Sequence, residues 1–299
     1  MYEVPENIVA LVTPMDFEQQ IDLKGLKRLL DLHTQAGTEA LLLFGSTGEG
    51  LLLSDQEREK ILNFVCNEYQ WVGSIWVSCS YQSIPGVMSY IQQANRFEVD
   101  GVMVSAPMYI KPSQSGIISY FTMLADQSSL PIMLYNVPSR TGCSISVSTA
   151  NVLSHHENII GIKETDVSIE RMIEYQNCAS NFVVLSGDDI STLSAMGHGA
   201  WGSISVAGNL FPKLVKEMIS AYKSQVHDVA QLIDKGFYPM NDLFSILPNP
   251  AAIKWMLSEK GLIASVQRSP LVALTMDQQI QLETVLASTE ALEQLSELP

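Results

Sequence analysis

Ile159-Ile160-Gly161-Ile162-Lys163-Glu164-Thr165 is an apolar run that does not alternate and that stops on an ammonium group. Short, near-continuous apolar runs are how strands read when both of their faces are covered, as in parallel sheets. Seven more runs share this pattern, over residues 8–12, 40–44, 74–78, 101–104, 132–135, 182–186 and 202–206. Their ends recur about every 20 to 34 residues, the length of a βα unit. Helical patterns fill the gaps. Asp22 is placed to cap a helix over 23–35 that has Leu26, Leu29, Leu30 and His33 on one face and Gly37 as its stop. Ser54-Asp55-Gln56-Glu57 is a capping box opening a helix that runs through Phe64. Further helices are expected over 84–97, 115–126, 148–154, 168–176 and 190–196.

Eight buried strands alternating with helices predict the α/β class and a (β/α)8 TIM barrel, a fold of roughly 250 residues. An open doubly wound sheet fits less well, because no GxGxxG follows the first strand. From Pro212 onward the strand signal is gone, and 212–223, 226–244, 249–260 and 277–295 read as helices, the last of them acidic and amphipathic. The expected organisation is a barrel over 1–225 that carries the active site, with a C-terminal helical region over 226–299 packed on it.

The 299 residues are 46% hydrophobic and 16% charged, enough apolar material for a large core and too little charge for a disordered chain. A net charge of -15 speaks against a nucleic-acid surface, which needs a basic footprint. An acidic protein that handles small anions must build its own local positive site, so Lys and Arg at strand ends carry extra weight. Cys66, Cys79, Cys143 and Cys178 form no CxxC pair and lack histidines at metal-ligand spacing, so reduced thiols and no metal are expected. Cys143 reads as a small buried hydrophobe. The first residues have neither a basic region nor an apolar stretch of signal length, and no apolar run approaches the ~18 residues of a membrane span. A cytoplasmic protein without membrane contact is the expectation.

In such a barrel the chemistry sits in the loops after the strands' C-terminal ends. After strand 2 comes Gly45-Ser46-Thr47-Gly48-Glu49-Gly50, whose glycines allow close approach and whose hydroxyls suit a carboxylate or phosphate. A plain strand-to-helix turn explains it equally well, and the GK[ST] element of a Walker loop is missing. After strand 4, Pro107 and Pro112 would fix an extended loop and hold Tyr109 in one place. After strand 5, Tyr135 at the strand tip can carry a proton, and Arg140 can take a carboxylate bidentately. Strand 7 ends in Ser186-Gly187-Asp188-Asp189. Lys163 closes strand 6. Burial disfavours a charged lysine, and a neutral amine attacks carbonyl carbon, the start of Schiff-base chemistry. The bland alternative is a strand-ending lysine paired with Glu164 or Asp166. Strands 5 and 6, as barrel neighbours ~4.8 Å apart, would bring Tyr135 and Lys163 to one rim.

Together these stretches resemble the dihydrodipicolinate synthase family, within the wider group of Schiff-base pyruvate aldolases that includes N-acetylneuraminate lyase. The resemblance runs from Ile8-Val9-Ala10-Leu11-Val12-Thr13-Pro14-Met15 through the GSTGE loop, YNVPSRTG, GIKE and SGDD to Pro248-Asn249-Pro250. It implies Lys163 as the Schiff-base lysine and Tyr135 as the proton shuttle, with Ser46 and Tyr109 in the relay. It implies Thr47 on the pyruvate carboxylate, Ile204 beside the bound keto acid, Gly187 among the substrate-binding residues and Arg140 on the second substrate's carboxylate. The implied reaction condenses pyruvate with L-aspartate 4-semialdehyde in lysine and diaminopimelate biosynthesis, without metal or organic cofactor. In this family the counterpart of Tyr109 reaches into the neighbouring subunit's site, which implies a homodimer, usually doubled to a homotetramer. Ser46-Thr47 departs from the Thr-Thr frequent in the synthases and is familiar from the lyases. The alternatives are therefore a pyruvate-dependent aldolase or lyase of a sugar acid, such as N-acetylneuraminate or a 2-keto-3-deoxy acid, and a catalytically silent binding barrel. The polar residues that hold inhibitory lysine in related synthases fall on Asp55, Ser83, Val87 and Met108, two of which cannot hydrogen-bond an effector, so feedback is expected to be weak or absent.

Overall fold

The structure, a computed structural model, describes residues 3–296. Its elements run β1 (Asn7–Ala10), α1 (Leu23–Ala36), β2 (Ala40–Leu43), α2 (Asp55–Asn63), β3 (Ser74–Ser78), α3 (Ile84–Asn95), β4 (Gly101–Ser105) and α4 (Gln114–Gln127). They continue with β5 (Ile132–Asn136), α5 (Pro138–Thr141), α6 (Val147–Leu153), β6 (Ile159–Glu164), α7 (Ile169–Tyr175), β7 (Val183–Ser186), α8 (Thr192–Gly197) and β8 (Gly202–Ser205). Four helices follow: α9 (Pro212–Lys223), α10 (His227–Ile246), α11 (Ala251–Glu259) and α12 (Met276–Ser296). The strands close a parallel barrel in chain order, so the expected (β/α)8 fold with C-terminal helices is borne out. Every expected strand is present, displaced by no more than a residue or two at its ends. The four-residue α5, which interrupts the YNVPSRTG loop, was not expected.

Two compact units can be described. One holds Ser74–Ile204 with the short segment ahead of Asn7, and the other holds Asn7–Gly73 with the chain from Ser205 onward.

In the first unit, β3 to β8 pair in parallel. Ile132, Met133, Leu134, Ile159, Ile162 and Leu185 are fully buried, as their unbroken apolar runs require. Serine caps start the outer helices. Ser83, Ser113, Ser146 and Ser168 each accept a backbone N–H from the first turn, and each such cap contributes about 1 kcal/mol.

In the second unit, β1 pairs with β2, and α1 buries Leu26, Leu29, Leu30 and His33. His33 is held neutral by burial, which pushes it down to about 3, and its Nδ1 lies 3.0 Å from Thr38 Oγ1. Gly37 ends α1 at φ 63°, as expected. Asp22 occupies the N-cap position but makes no cap hydrogen bond, because its carboxylate turns to Arg28, 3.5 Å away. The Ser54 capping box is complete, with Glu57 reaching back to the Ser54 N–H at 2.8 Å. Among the C-terminal helices, Phe237 of α10 meets Phe211 edge-on at 6.3 Å, and α12 buries Leu282 and Thr289.

Candidate active site

At the tips of β5 and β6 the register pairs Tyr135 with Lys163 and Asn136 with Glu164. Paired residues of neighbouring parallel strands share a face, and successive residues alternate faces. Tyr135 and Lys163 therefore stand together, and the lysine Nζ lies 4.8 Å from the centroid of the tyrosine ring. Both are almost fully enclosed, at 5% exposure for Lys163 and 6% for Tyr135. The alternative pairing of Lys163 with an acid neighbour is not what the structure holds. The Glu164 carboxylate faces α7 and accepts from Asn136, Tyr175 and Arg171, while Asp166 lies 4.0 Å from Arg171.

Gly187, the first residue past β7, is where the lysine side chain passes. A methyl group there would stand 2.7 Å from Lys163 Cε and 2.8 Å from Thr165 Cγ2. Next to it, burial raises the Asp188 carboxyl above the usual range, and Ser191 donates to it at 2.8 Å. Ile204 of β8 is buried, at 2% exposure.

The Tyr109 loop departs from expectation. It is not extended: Tyr109 and Lys111 turn through left-handed backbone at φ 71° and 50°, a conformation that non-glycine residues adopt at a cost. Pro112 fixes the exit rather than straightening the loop. The turn lifts the tyrosine into solvent at 91% exposure, while its N–H donates to Thr141 O at 3.2 Å at the end of α5. Arg140 sits on the same short helix, exposed, and among the described residues nothing bonds its guanidinium. Cys143, just beyond, is half-buried rather than buried.

Ser46 and Thr47 belong to the second unit, in a loop folded back on its own strand. Phe44 and Glu49, which flank it, are left-handed at φ 61° and 53°. Its glycines serve the backbone's approach to itself. A Cβ on Gly50 would fall 1.9 Å from Phe44 O, and one on Gly48 would fall 2.9 Å from Leu11 O. Thr13 Oγ1 donates to Gly48 O at 2.6 Å, and the buried Arg58 lies 4.3 Å over the Phe44 ring. Asn249 donates to Thr47 Oγ1 at 3.1 Å, which leaves the threonine O–H free to donate elsewhere. Ser46 is half-buried and Thr47 is 2% exposed.

Beneath the loop lies a charged cluster that sequence reading missed. Glu49 is fully buried, takes the ammonium of fully buried Lys254, and accepts the Arg268 N–H at 2.7 Å. Lys254 also donates to Val266 O at 2.7 Å, and burial lowers its pKa while Glu49 works to restore it. The signal was a lone lysine inside Ala251-Ala252-Ile253-Lys254-Trp255-Met256-Leu257, where an unpaired charge would not be tolerated. No group of three or more His, Cys, Asp or Glu among the described residues is arranged to hold a metal ion, and no helix among them is long and apolar enough to cross a membrane.

Comparison with known proteins finds relatives along almost the whole chain. The model of the dihydrodipicolinate synthetase family matches residues 4–289. A 4-hydroxy-tetrahydrodipicolinate synthase of Azobacteroides pseudotrichonymphae is 37% identical over 88% of this chain and 90% of its own. The enzyme of that name from Oceanobacillus iheyensis is 33% identical over 95% and 96% of the two chains. Among solved structures, the 4-hydroxy-tetrahydrodipicolinate synthase of Methylacidiphilum fumariolicum superposes with a TM-score of 0.93 at 32% identity, covering 97% of each chain. A monomeric dihydrodipicolinate synthase variant superposes at 0.92 with 28% identity, covering 95% of this chain and 96% of its own.

Proposed function

The chain belongs to the dihydrodipicolinate synthetase family, and from that premise we propose that it condenses pyruvate with L-aspartate 4-semialdehyde to give 4-hydroxy-tetrahydrodipicolinate, through a Schiff base on Lys163. The observation that carries the reading is the enclosed Lys163 amine against the Tyr135 ring at the paired tips of β5 and β6.

Lys163 Nζ attacks the ketone carbon of pyruvate, and Tyr135 moves protons as the carbinolamine loses water. The resulting protonated imine draws electrons from the methyl group, which gives up a proton to leave an enamine. The enamine carbon attacks the aldehyde of the semialdehyde, whose oxygen takes up a proton. The semialdehyde's amine then adds to the imine carbon, closes the ring and expels the lysine. No external cofactor takes part.

Thr47, with its O–H left free by Asn249, holds the pyruvate carboxylate beside backbone N–H groups. Ser46 and Tyr109 relay protons, Ile204 packs beside the keto acid and Gly187 gives it room. Arg140, with its unbonded guanidinium, takes the carboxylate of the second substrate. The enzyme works in the cytoplasm as a homodimer or homotetramer. The 91% exposure of Tyr109 supports its delivery into a partner's site.

Borohydride reduction in the presence of pyruvate should leave a mass adduct on Lys163, and Lys163→Ala should abolish it. Turnover is expected with pyruvate plus aspartate semialdehyde and not with N-acetylneuraminate. Turnover of N-acetylneuraminate alone would make the protein a sugar-acid lyase, and no adduct on Lys163 would leave a silent barrel.

A further inference from the structure

The pairing of β5 with β6 is irregular. Ile132 faces Ile159, but Met133 faces Gly161, so Ile160 is an extra residue in β6. Its effect appears at the other end of the strands. Had the register run on unbroken, Tyr135 would face Ile162, and Lys163 would share a face with Asn136. A one-residue slip of this kind sends a side chain to the opposite face. The bulge thus decides whether the amine lies beside Tyr135 or among the helices, and the upstream pairing alone does not fix the outcome.

On the helix-facing side of the same two tips stands a buried polar cluster. Glu164 is fully buried, and a carboxylate so placed must be paired. Asn136 Nδ2 donates to its two oxygens at 2.8 and 3.0 Å, Tyr175 OH at 2.6 Å, Arg171 Nη2 at 2.7 Å and the Asp166 N–H at 2.8 Å. Ser168 caps α7 through the Arg171 N–H, which sets that arginine in the first turn, facing the strand end.

The cluster also reaches the neighbouring segments. Asn136 Oδ1 accepts the Ile145 N–H at 2.8 Å, and Arg171 donates to Ile145 O at 3.0 Å, closing the loop that bears Arg140. The Glu164 carbonyl accepts the Gly187 N–H at 2.7 Å.

We propose that Glu164 is a positioning residue: with Asn136, Arg171 and Tyr175 it locks the bulged register of β6 and so holds the Lys163 amine against Tyr135. This inference rests on the Schiff-base reading above. It assigns Glu164 no contact with substrate and no proton transfer; its effect passes through the strand.

The test is the rate of borohydride-trapped pyruvate adduct, followed by mass spectrometry on the full-length protein well below its melting temperature, beside steady-state kcat and KM. Misplacing a reacting group by about 1 Å costs on the order of 100-fold. Glu164→Gln is therefore expected to slow trapping and kcat by about 10- to 100-fold, with the KM for pyruvate within about threefold of the parent. Leu124→Ala, which removes a fully buried side chain from α4, a helix that contributes no residue to the cluster, serves as a stability control and should trap within about twofold of the parent. If Glu164→Gln does not fold, Tyr175→Phe, which removes one hydroxyl, decides the matter with an expected loss of about three- to tenfold. Trapping at the parent rate in the decisive variant, or an equal loss in an equally destabilised Leu124→Ala, would overturn the inference while leaving the Schiff base intact. A parent that traps no pyruvate would bring down both readings.

Discussion

Lys163 has little freedom at its base, because Gly187 leaves only enough room for its Cγ and Cε to pass. Gly187→Ala should push the amine away from Tyr135 without disturbing a core. The expected result is a kcat reduced by about 10- to 100-fold with a nearly unchanged thermal midpoint, read from steady-state kinetics and a melting scan of the same preparation. Lys163 and Tyr135 were legible in the sequence because each ends an apolar run at a strand tip, whereas Gly187 was named only through the family resemblance. The partners of Glu164 were not legible. Arg171 and Tyr175 lie on a helix whose spacing reads as ordinary amphipathicity, and only the fold turns them toward the strand end. Asn249 stood inside a quoted motif, yet nothing local marks it as a donor to a threonine 202 positions earlier.

At the scale of elements, local rules worked where they were self-contained. The Ser54 capping box formed because its two partners are three residues apart, whereas Asp22 was drawn from its cap by the guanidinium of Arg28. The Tyr109 loop shows the same limit: two prolines fix individual φ angles but not the path between them. The Ser54 box is also joined from a distance. Arg268 donates to both Glu57 oxygens, at 2.9 and 2.7 Å, and with the Ser54 hydrogen bonds this lowers the Glu57 carboxyl from 4.5 to about 2. A carboxyl depressed in the folded state stabilises it wherever the unfolded chain has ionised, and that contribution fades as the folded group takes up its proton. Glu57→Gln should therefore cost about 1–2 kcal/mol at pH 7, with the deficit constant down to about pH 5. It should close as pH falls from 4.5 toward 2. Denaturant titrations of parent and variant across that range measure it, and a pH-independent deficit would contradict it.

For the whole molecule, the barrel was legible because both-face burial gives eight apolar runs at βα spacing, a pattern that needs no long-range information. The placement of charge across the fold was not, since Glu49, Lys254 and Arg268 are assembled only by the C-terminal helices. Of the positions where related synthases would seat inhibitory lysine, Val87 is fully buried within α3 and Met108 has no hydrogen-bonding side chain beyond a thioether. Lysine at millimolar concentration should lower the initial rate only weakly or not at all, and strong inhibition below a millimolar would refute this.

The Glu49 cluster has a further consequence for how the protein is made. A chain emerging from the ribosome completes β8 well before Lys254 and Arg268 leave the exit tunnel. Until then the nascent Ser46-Thr47 turn has a carboxylate beneath it with no counter-ion, a state too costly to bury. The Ser46-Thr47 turn is therefore expected to set last, when translation is nearly finished, and truncation short of α11 should leave the strands in place with this turn unsettled.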